Sequence, residues 1–315
     1  FNVSLGAALR AAGLDEHVGY SFGDVKDLDR LGWELAPDEV LVELINPMSE
    51  DQSVMRWTLL PSLLRALSHN QRRGISDVHL YEMGTSFISA DGRKQPKERM
   101  LVTGVLAGSW VRPGWNDPAP TLGFFDAKGT LESVFESLGV ERWSVRAAER
   151  PWLQPGRTAE VIVGGDVVGW LGEVGADVLD AFDASGPVAA FELSVSALVK
   201  AASRTSRSFA DIPRFPAVVL DLALVVSEDV TAEKVAGVLR SAGGKLLESV
   251  RLFDVYRDEV STSGGEHRLP EGKKSLAFSL VYRAADRTLS DEDVRPVHEK
   301  LIRKVSGAVG AEIRA

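Results

Sequence analysis

The stretch Ser275-Leu-Ala-Phe-Ser-Leu-Val-Tyr-Arg283 alternates large apolar residues with small or polar ones. Because successive side chains of a β-strand point to opposite faces, this pattern predicts a strand with one buried face. The residues predicted to be buried are Leu276, Phe278, Leu280 and Tyr282, and those on the open face are Ala277, Ser279, Val281 and Arg283. A sheet containing this strand should therefore pack helices against one side and leave the other side open.

The segments around this strand complete a βαββαβ unit, the ferredoxin-like split arrangement. Ser290 is followed three residues later by Asp293, a capping-box-like spacing that predicts the start of a helix, and Gly307 is expected to end it. The other expected elements are strands at Val218–Val226, Leu247–Tyr256 and Ala311–Arg314 and a helix at Thr231–Arg240. Small-molecule regulatory domains use the same unit, so this fold alone does not decide the function.

The open face of the predicted sheet combines an aromatic ring with two arginines. Strand alternation places Arg251 and Phe253 on the same face as Arg283. This composition suits base stacking together with phosphate or base-edge contacts. The alternative is that both arginines are solvated edge charges and that Phe253 packs beneath the loop Asp258–Pro270.

The earlier part of the chain mixes helices and strands, which is typical of an α+β domain with an antiparallel sheet. Val3–Ala12 is expected to be an amphipathic helix, His17–Phe22 a strand, and Gly164-Gly165 the turn of a β-hairpin. Small polar residues at 200–208, followed by two prolines within Ile212–Pro216, mark a change of domain. The predicted division is a domain at 1–202, a linker at 203–211 and a domain at 212–315.

Composition and charge limit the possible functions. The chain of 315 residues is 44% hydrophobic and has no Cys, so it can bury a core but has no thiol or disulfide chemistry. No apolar run approaches the ~20 residues that span a membrane, and we expect a cytoplasmic protein without a membrane partner. The net charge is −9, while residues 209–315 hold 16 Lys and Arg against 17 Asp and Glu. Nonspecific nucleic-acid binding by the whole chain is therefore not expected.

Familiar catalytic and metal-binding motifs do not occur in the sequence. It has no P-loop, no HExxH and no GxSxG elbow. The five His residues are far apart, and none has a neighbour at metal-ligand spacing. We therefore expect no catalytic residue and no metal site in this chain. An enzyme with an unrecognised site would need a nucleophile or metal constellation that the sequence does not show.

Several motifs occur together in the order found in one known family. They are Asn46-Pro47, Arg56–Leu64, Leu80–Phe87, Phe125–Glu132, Gln154–Ala159, Gly169–Glu173 and Phe191–Leu193, then Arg214–Pro216, Leu252–Tyr256, Gly272–Leu276 and Arg287–Leu289. Together they resemble the beta subunit of bacterial phenylalanine–tRNA ligase, with its class II synthetase-like core followed by its ferredoxin-like anticodon-binding domain. The resemblance implies a C-terminal fragment of that subunit, since the chain does not begin with Met.

The resemblance implies an alpha2beta2 enzyme that uses ATP and magnesium to charge tRNA(Phe), with the active site in the alpha subunit. The core of this chain would be noncatalytic and hold no cofactor. Leu80 stands where class II enzymes have an Arg that binds the ATP phosphates, and Gly172–Phe182 contains no Arg. The chain departs from the family pattern at Gln154, Val174-Gly175 and Leu220. The competing interpretation is a small-molecule-binding regulatory module fused to a degenerate enzyme domain.

Two sets of site residues follow from the resemblance. The residues expected to contact tRNA are Arg251, Phe253, Lys273, Lys274 and Arg283. The residues expected to anchor the partner subunit, in the first helix and strand, are Leu5, Leu9, Tyr20 and Phe22. The alternative for the second set is that these residues belong to the core of the chain itself.

Overall fold

A largely antiparallel sheet forms the centre of the N-terminal unit, Phe1–Ser208, in the computed structural model, which describes residues 1–90, 95–116, 119–202, 209, 211–258 and 269–314. The strands of this unit are β1 (Asp15–Glu16), β2 (Phe22–Gly23), β3 (Glu39–Val40), β4 (Val54–Met55), β5 (Val78–Ala90), β6 (Lys97–Ala107), β7 (Trp143–Ala147), β8 (Leu153–Val163), β9 (Asp166–Val174) and β10 (Val188–Ser194). Their order in the sheet is β1-β5-β6-β10-β9-β8-β7, with β3 also on β5, while β2 pairs with β4. Apart from the parallel β1–β5 pair, neighbouring strands are antiparallel, which confirms the predicted α+β class.

Helices cover both faces of this sheet. They are α1 (Asn2–Ala11), α2 (Asp27–Leu31), α3 (Leu60–Gln71), α4 (Phe124–Leu138), α5 (Ala176–Ala181) and α6 (Val195–Ala202). Phe191 and Leu193 of β10 belong to the core that includes α1, α4 and α6, whereas Val188 and Ala190 belong to the core that includes α2, α3 and α5. Because both faces are buried, β10 is apolar almost throughout instead of alternating.

The structure confirms one local prediction in this unit and corrects another. Gly164 and Gly165 join β8 to β9 with φ of 62° and 95°, which the predicted two-residue turn requires. The predicted strand at His17–Phe22 is wrong, because residues 17–21 are irregular between the short strands β1 and β2. Their backbone groups form isolated bonds to the backbone of Tyr81 and Arg56 and to the side chains of Glu82 and Arg56 instead of a continuous ladder.

The C-terminal unit, Phe209–Ala315, has the predicted βαββαβ order. Its elements are β11 (Val218–Ser227), α7 (Ala232–Gly243), β12 (Leu247–Tyr256), β13 (Lys273–Tyr282), α8 (Asp291–Val309) and β14 (Glu312–Ile313). The strand order is β12-β13-β11-β14, and neighbouring strands are antiparallel. The four side chains predicted to be buried on β13 all lie in the core with α7 and α8, at 1% exposure or less. The ferredoxin-like prediction is thus confirmed.

Helix α8 begins as predicted but ends later. The Ser290 hydroxyl accepts from the Asp293 amide, and the Asp293 carboxylate accepts from the Ser290 amide at 2.9 Å, which completes a capping box. The hydrogen bonds that the Asp293 carboxylate accepts, from the Ser290 amide, the Ser290 hydroxyl and Arg287, lower its pKa to about 2. The helix passes through Gly307 and ends before Gly310, which takes the left-handed conformation at φ 64°. Gly307 has no positive φ and so does not act as a stop.

Parts of two predictions fall outside the described residues. They are the linker at 203–211, apart from 209 and 211, and most of the loop Asp258–Pro270. The domain boundaries therefore stay a prediction. Within the described ranges, no helix combines the length and the apolar character that crossing a bilayer demands.

Glu192 is a buried carboxylate at the centre of the N-terminal unit. Its Oε2 accepts hydrogen bonds from the hydroxyls of Thr58 and Thr103, both at 2.7 Å, and from the amide of Leu59 at 3.0 Å. Leu59 is the N-cap residue of α3 and its side chain cannot cap the helix, so Glu192 supplies the acceptor from β10. Burial raises the pKa of Glu192 because the ionised form is poorly solvated there, and the three donors oppose this effect.

Replacing Glu192 should change the pH dependence of unfolding. Its pKa in the folded protein lies above the ordinary value of 4.5. Folded wild-type protein should therefore lose stability as the pH rises from there through the folded pKa, because ionisation then costs free energy. Glu192→Gln keeps an acceptor without a charge and should flatten this slope. Glu192→Leu should destabilise at every pH, by ~1–3 kcal/mol for each buried donor left unpaired. Urea unfolding across the range tests this, and an unchanged slope in the Gln variant would contradict it.

Candidate functional site

The open face of the C-terminal sheet presents charged residues in one row across its strands. Ser279 of β13 pairs with Asp221 of β11 on one side and with Arg251 of β12 on the other. Both charged residues are exposed. They are two strand spacings apart, roughly 10 Å. Among the described residues no ion pair involves Arg251, so this guanidinium remains available to a ligand.

Phe253 is exposed over 53% of its surface, but not for the reason that simple alternation gives. The register of β12 shifts by one residue between Leu252, which lies opposite Phe278, and Asp254, which lies opposite Ala277. Phe253 is the extra residue of this β-bulge, a feature that bends a strand and changes the direction of its side chains. Asp254 therefore takes the open-face position beside Ala277 that alternation assigned to Phe253.

Two of the predicted RNA-contacting cations already have partners. Arg283 bonds to the carboxylate of Glu248 and donates to the carbonyl of Phe215 at 2.6 Å. The Nζ of Lys273 donates to Glu312 at 2.6 Å. Glu248 and Glu312 are exposed, and ion pairs of this kind contribute little stability. Both cations can therefore exchange a carboxylate for a phosphate at low cost.

Lys274, which was predicted to contact tRNA, does not reach the open face. It is 8% exposed, and its Nζ donates to the carbonyl of Glu228 at 2.7 Å and lies 3.7 Å from that residue's carboxylate. The reason is strand parity. Lys274 pairs with Val226 and lies two residues before Leu276, so it shares the helix-covered face of β13.

A second cationic surface, which was not predicted from the sequence, lies on α8. Lys300, Arg303 and Lys304 of α8 line an open groove of about 620 Å³ together with Gly307 and Ala308. All three cations are exposed, and residues 300–309 contain no acid. Their i, i+3, i+4 spacing places them on one side of the helix, and this spacing is the signal that could have revealed them.

In the N-terminal unit, the 17–22 segment, which is irregular up to Ser21 and ends on the first residue of β2, is held against the sheet. The amide of Gly19 donates to Glu82 Oε1 at 3.2 Å, and the carbonyl of Tyr20 accepts from Arg56 Nη1 at 3.2 Å. Arg56 in turn donates to Glu82 Oε1 at 2.5 Å and is almost fully buried. A Cβ at Gly19 would lie 2.2 Å from the hydroxyl of Ser62, so a larger residue would displace that hydroxyl from its bond with His17.

The structure divides the four predicted partner-surface residues into two pairs. Leu5 and Leu9 are each 1% exposed and pack in the core between α1 and α4, so they offer no surface to a partner. The prediction that they anchor a partner is therefore wrong for these two residues. They form the apolar stripe of α1 and belong to the core of the chain itself. Tyr20 and Phe22 are exposed at 75% and 41% on the 17–22 segment, next to Val18 at 85%.

The polar groups near Leu80, within the described part of the N-terminal unit, bond mainly to one another. Leu80 is a partly buried core residue, and the nearby Arg56 is committed to Glu82, Thr85 and Tyr20. The Arg56 guanidinium is therefore not free to bind ATP phosphates. Across the described residues, no cluster of three or more His, Cys, Asp or Glu side chains could hold a metal ion. The residues present therefore do not fit ATP or magnesium.

Two protein-family models match this chain. The family model described as the phenylalanyl tRNA synthetase beta chain CLM domain matches residues 2–195, and that of the ferredoxin-fold anticodon binding domain matches residues 213–314. The chain belongs to the phenylalanyl-tRNA synthetase beta-chain family. Together the two matches account for nearly the whole described chain, as the motif resemblance predicted.

Curated relatives give the same result. Phenylalanine–tRNA ligase beta subunits are 39% identical in Symbiobacterium thermophilum and 42% in Moorella thermoacetica, over 98% of this chain, and 39% in Geobacillus kaustophilus, over 97%. The chain spans about a third of their length, 34% to 37%. A solved pyrrolysyl tRNA synthetase of Desulfitobacterium hafniense aligns at 14% identity over 66% of this chain and 70% of that one. Its TM-score of 0.49 is too low to establish a common fold.

The two adjacent lysines of β13 should respond differently to substitution. Lys274→Ala removes the buried ammonium that donates to the Glu228 carbonyl. Loss of this hydrogen bond should destabilise the protein by about 1–3 kcal/mol. Lys273→Ala removes an exposed ion pair and should cost less than ~1 kcal/mol. Chemical denaturation of both variants measures the difference. Equal effects would mean that Lys274 is not held in the helix-covered face.

Proposed function

We propose that this chain is a noncatalytic part of the beta subunit of a phenylalanine–tRNA ligase. In this proposal it binds tRNA(Phe) through its C-terminal unit and an alpha subunit through its N-terminal unit. The holoenzyme, an alpha2beta2 assembly, uses ATP and magnesium in the cytoplasm, and this chain alone forms no aminoacyl-adenylate. The observation that carries the proposal is the match of residues 213–314 to an anticodon-binding family.

The open sheet face supports tRNA binding through a few exposed groups. Phe253 offers a ring on which an unpaired base can stack, and Arg251 offers an unpaired guanidinium two residues away. Arg283 and Lys273 add cations whose present partners are exposed carboxylates. Lys274 is not included because its ammonium is bonded inside the unit. Asp221 and Asp254 on the same face favour contacts to base amino groups over a purely phosphate interface.

The N-terminal unit supports partner binding through the 17–22 segment. Val18, Tyr20 and Phe22 are apolar and exposed together, although the segment itself is fixed by Arg56 and Glu82. Exposed apolar groups on an ordered segment are characteristic of protein–protein interfaces. The interpretation as a small-molecule regulatory module fused to a degenerate enzyme is not supported, because one family match describes a phenylalanyl tRNA synthetase beta chain domain and the other an anticodon binding domain.

Loss of the Phe253 ring should weaken tRNA use without affecting amino-acid activation. In the holoenzyme, Phe253→Ala should raise the KM for tRNA by about 5- to 150-fold, the equivalent of the ~1–3 kcal/mol of one base stack. Arg251→Ala should raise it as well and should reduce the dependence of log K on log salt by ~0.7 for one single-strand phosphate contact. Aminoacylation gives the KM, and phenylalanine-dependent ATP–pyrophosphate exchange should stay at the wild-type rate.

Two control variants distinguish the open face from the rest of the unit. Lys234→Ala removes an exposed cation of α7 and should have no effect on the KM. The triple variant Lys300→Ala, Arg303→Ala, Lys304→Ala removes the cations of the α8 groove. A large effect of this triple variant with no effect of Phe253→Ala would place the RNA contact on α8 and refute the proposed face.

Charged substitutions on the 17–22 segment should impair assembly. Tyr20→Asp and Phe22→Asp each place a carboxylate on the proposed apolar contact and should weaken association with the alpha subunit at least tenfold, ~1.4 kcal/mol or more. Val167→Asp, at a half-exposed position of β9, is the matched control and should assemble normally. Sedimentation of the mixed subunits measures association. Wild-type assembly by both segment variants would exclude this surface.

A further inference from the structure

An open cavity of about 740 Å³ lies at one end of the N-terminal sheet, and the proposed function makes no use of it. It is lined by residues from the loop before β3, from β6, from the turn before β8 and from the paired strands β9 and β10. The side chains on which its chemistry depends are three tryptophans, Trp33, Trp152 and Trp170, and the buried acid Glu192. This combination of aromatic walls and a carboxyl group limits the class of ligand that the cavity can bind.

The tryptophans form a continuous aromatic wall. Trp33 stacks on Trp152 with ring centroids 4.1 Å apart and planes 11° apart, and Trp152 meets Trp170 edge to face at 5.8 Å. Trp33 is only partly buried and lines the cavity, so part of this residue is accessible from it. Trp170 is the direct cross-strand partner of Glu192, which places the acid at the inner end of the wall.

One oxygen of Glu192 has no hydrogen-bond donor. All three donors to this carboxylate, Thr58, Thr103 and the Leu59 amide, bond to Oε2, and no described residue donates to Oε1. Glu192 is 6% exposed and borders the cavity. The nearest buried cation, Arg56, is already bonded to Glu82. The region therefore holds two buried carboxyl groups beside one guanidinium. Burial favours the neutral form of Glu192, and a cation bound beside it would favour the ionised form instead.

The rim of the cavity also favours a positively charged ligand. Its two arginines are both occupied, Arg99 by Glu39 at 3.5 Å and Arg150 by Glu160 at 3.0 Å. Glu34 and Glu149 at the rim are exposed, and within the described ranges neither is in an ion pair. An anionic ligand would meet an excess of acids here. A metal ion is also disfavoured, because the described residues contain no metal-binding cluster of carboxylates.

We propose that this cavity binds a small organic ammonium ion, with its positive charge beside Glu192 Oε1 and its alkyl groups against Trp33. Aromatic faces attract alkylammonium groups through their quadrupole, and a partly desolvated carboxylate strengthens that attraction. The wall and the acid together thus select a cation that also has an apolar surface. A neutral molecule of the same shape gains the apolar contact alone.

Choline and its neutral isostere 3,3-dimethyl-1-butanol test this proposal on the full-length beta subunit in its assembly with the alpha subunit. Saturation-transfer NMR titrations should show saturable binding of choline and at least tenfold weaker binding of the alcohol. Glu192→Gln and Trp33→Leu should each weaken choline binding at least tenfold. Glu136→Gln, at an exposed position of α4, should leave it unchanged.

The outcomes that overturn the proposal are specific. They are the absence of saturable choline binding to the wild-type assembly, equal binding of the neutral alcohol, or unchanged binding in Glu192→Gln. Thermal melting shows whether that variant is folded, and if it is not, Trp33→Leu alone carries the test. Because binding is read without tRNA or aminoacylation, failure here leaves the proposed ligase function untouched, and failure of that function leaves this result valid.

Discussion

The hydrogen bonds to Glu192 connect the central sheet of the N-terminal unit to the helix α3 that packs on it. They join β10, in the middle of the sheet, to the residues that begin α3, and so fix the position of Thr58 and Leu59. Arg56 lies two residues earlier, and its guanidinium reaches Glu82 and the Tyr20 carbonyl. The conformation of the 17–22 segment therefore depends, through Arg56, on a carboxylate that is distant from it in the sequence. A buried acid is costly unless its bonds are satisfied, which explains why three donors converge on one of its oxygens.

Period-two alternation predicted the buried face of β13 correctly, and the order of elements predicted the ferredoxin-like unit. The same rule, applied two residues further back, would have placed Lys274 inside. The sequence prediction began the strand at Ser275, whereas the strand begins at Lys273. At Phe253 the rule itself fails, because a β-bulge adds one residue to β12 and no local pattern in Leu247–Tyr256 announces it. Alternation therefore predicts which face of a strand is buried, but it does not predict where the strand begins or where a β-bulge interrupts it.

Pairings between distant residues account for most of what sequence reasoning missed. Arg283 bonds to Glu248 of β12 and to the carbonyl of Phe215, which lies in the irregular segment before β11. No periodicity encodes such contacts, since they depend on which strands become neighbours. The failure at His17–Phe22 has a similar origin. That segment has strand-like residues, but only His17 bonds to the backbone of β5, and the residues after it bond to the Glu82 side chain and to Arg56 instead of continuing the ladder.

The close packing of Gly19 against Ser62 bears on the thermodynamics of association. Segments that become ordered only on binding lose backbone and side-chain freedom at that moment, ~0.5–1.5 kcal/mol for each immobilised side chain. The 17–22 segment has lost its backbone freedom already, during folding, because its amide and carbonyl groups are bonded before any partner is present. Its exposed rings need only settle into rotamers. The entropy of complex formation should accordingly be less unfavourable than for a disordered loop of equal apolar content, and this difference would be visible by calorimetry as a small entropic term.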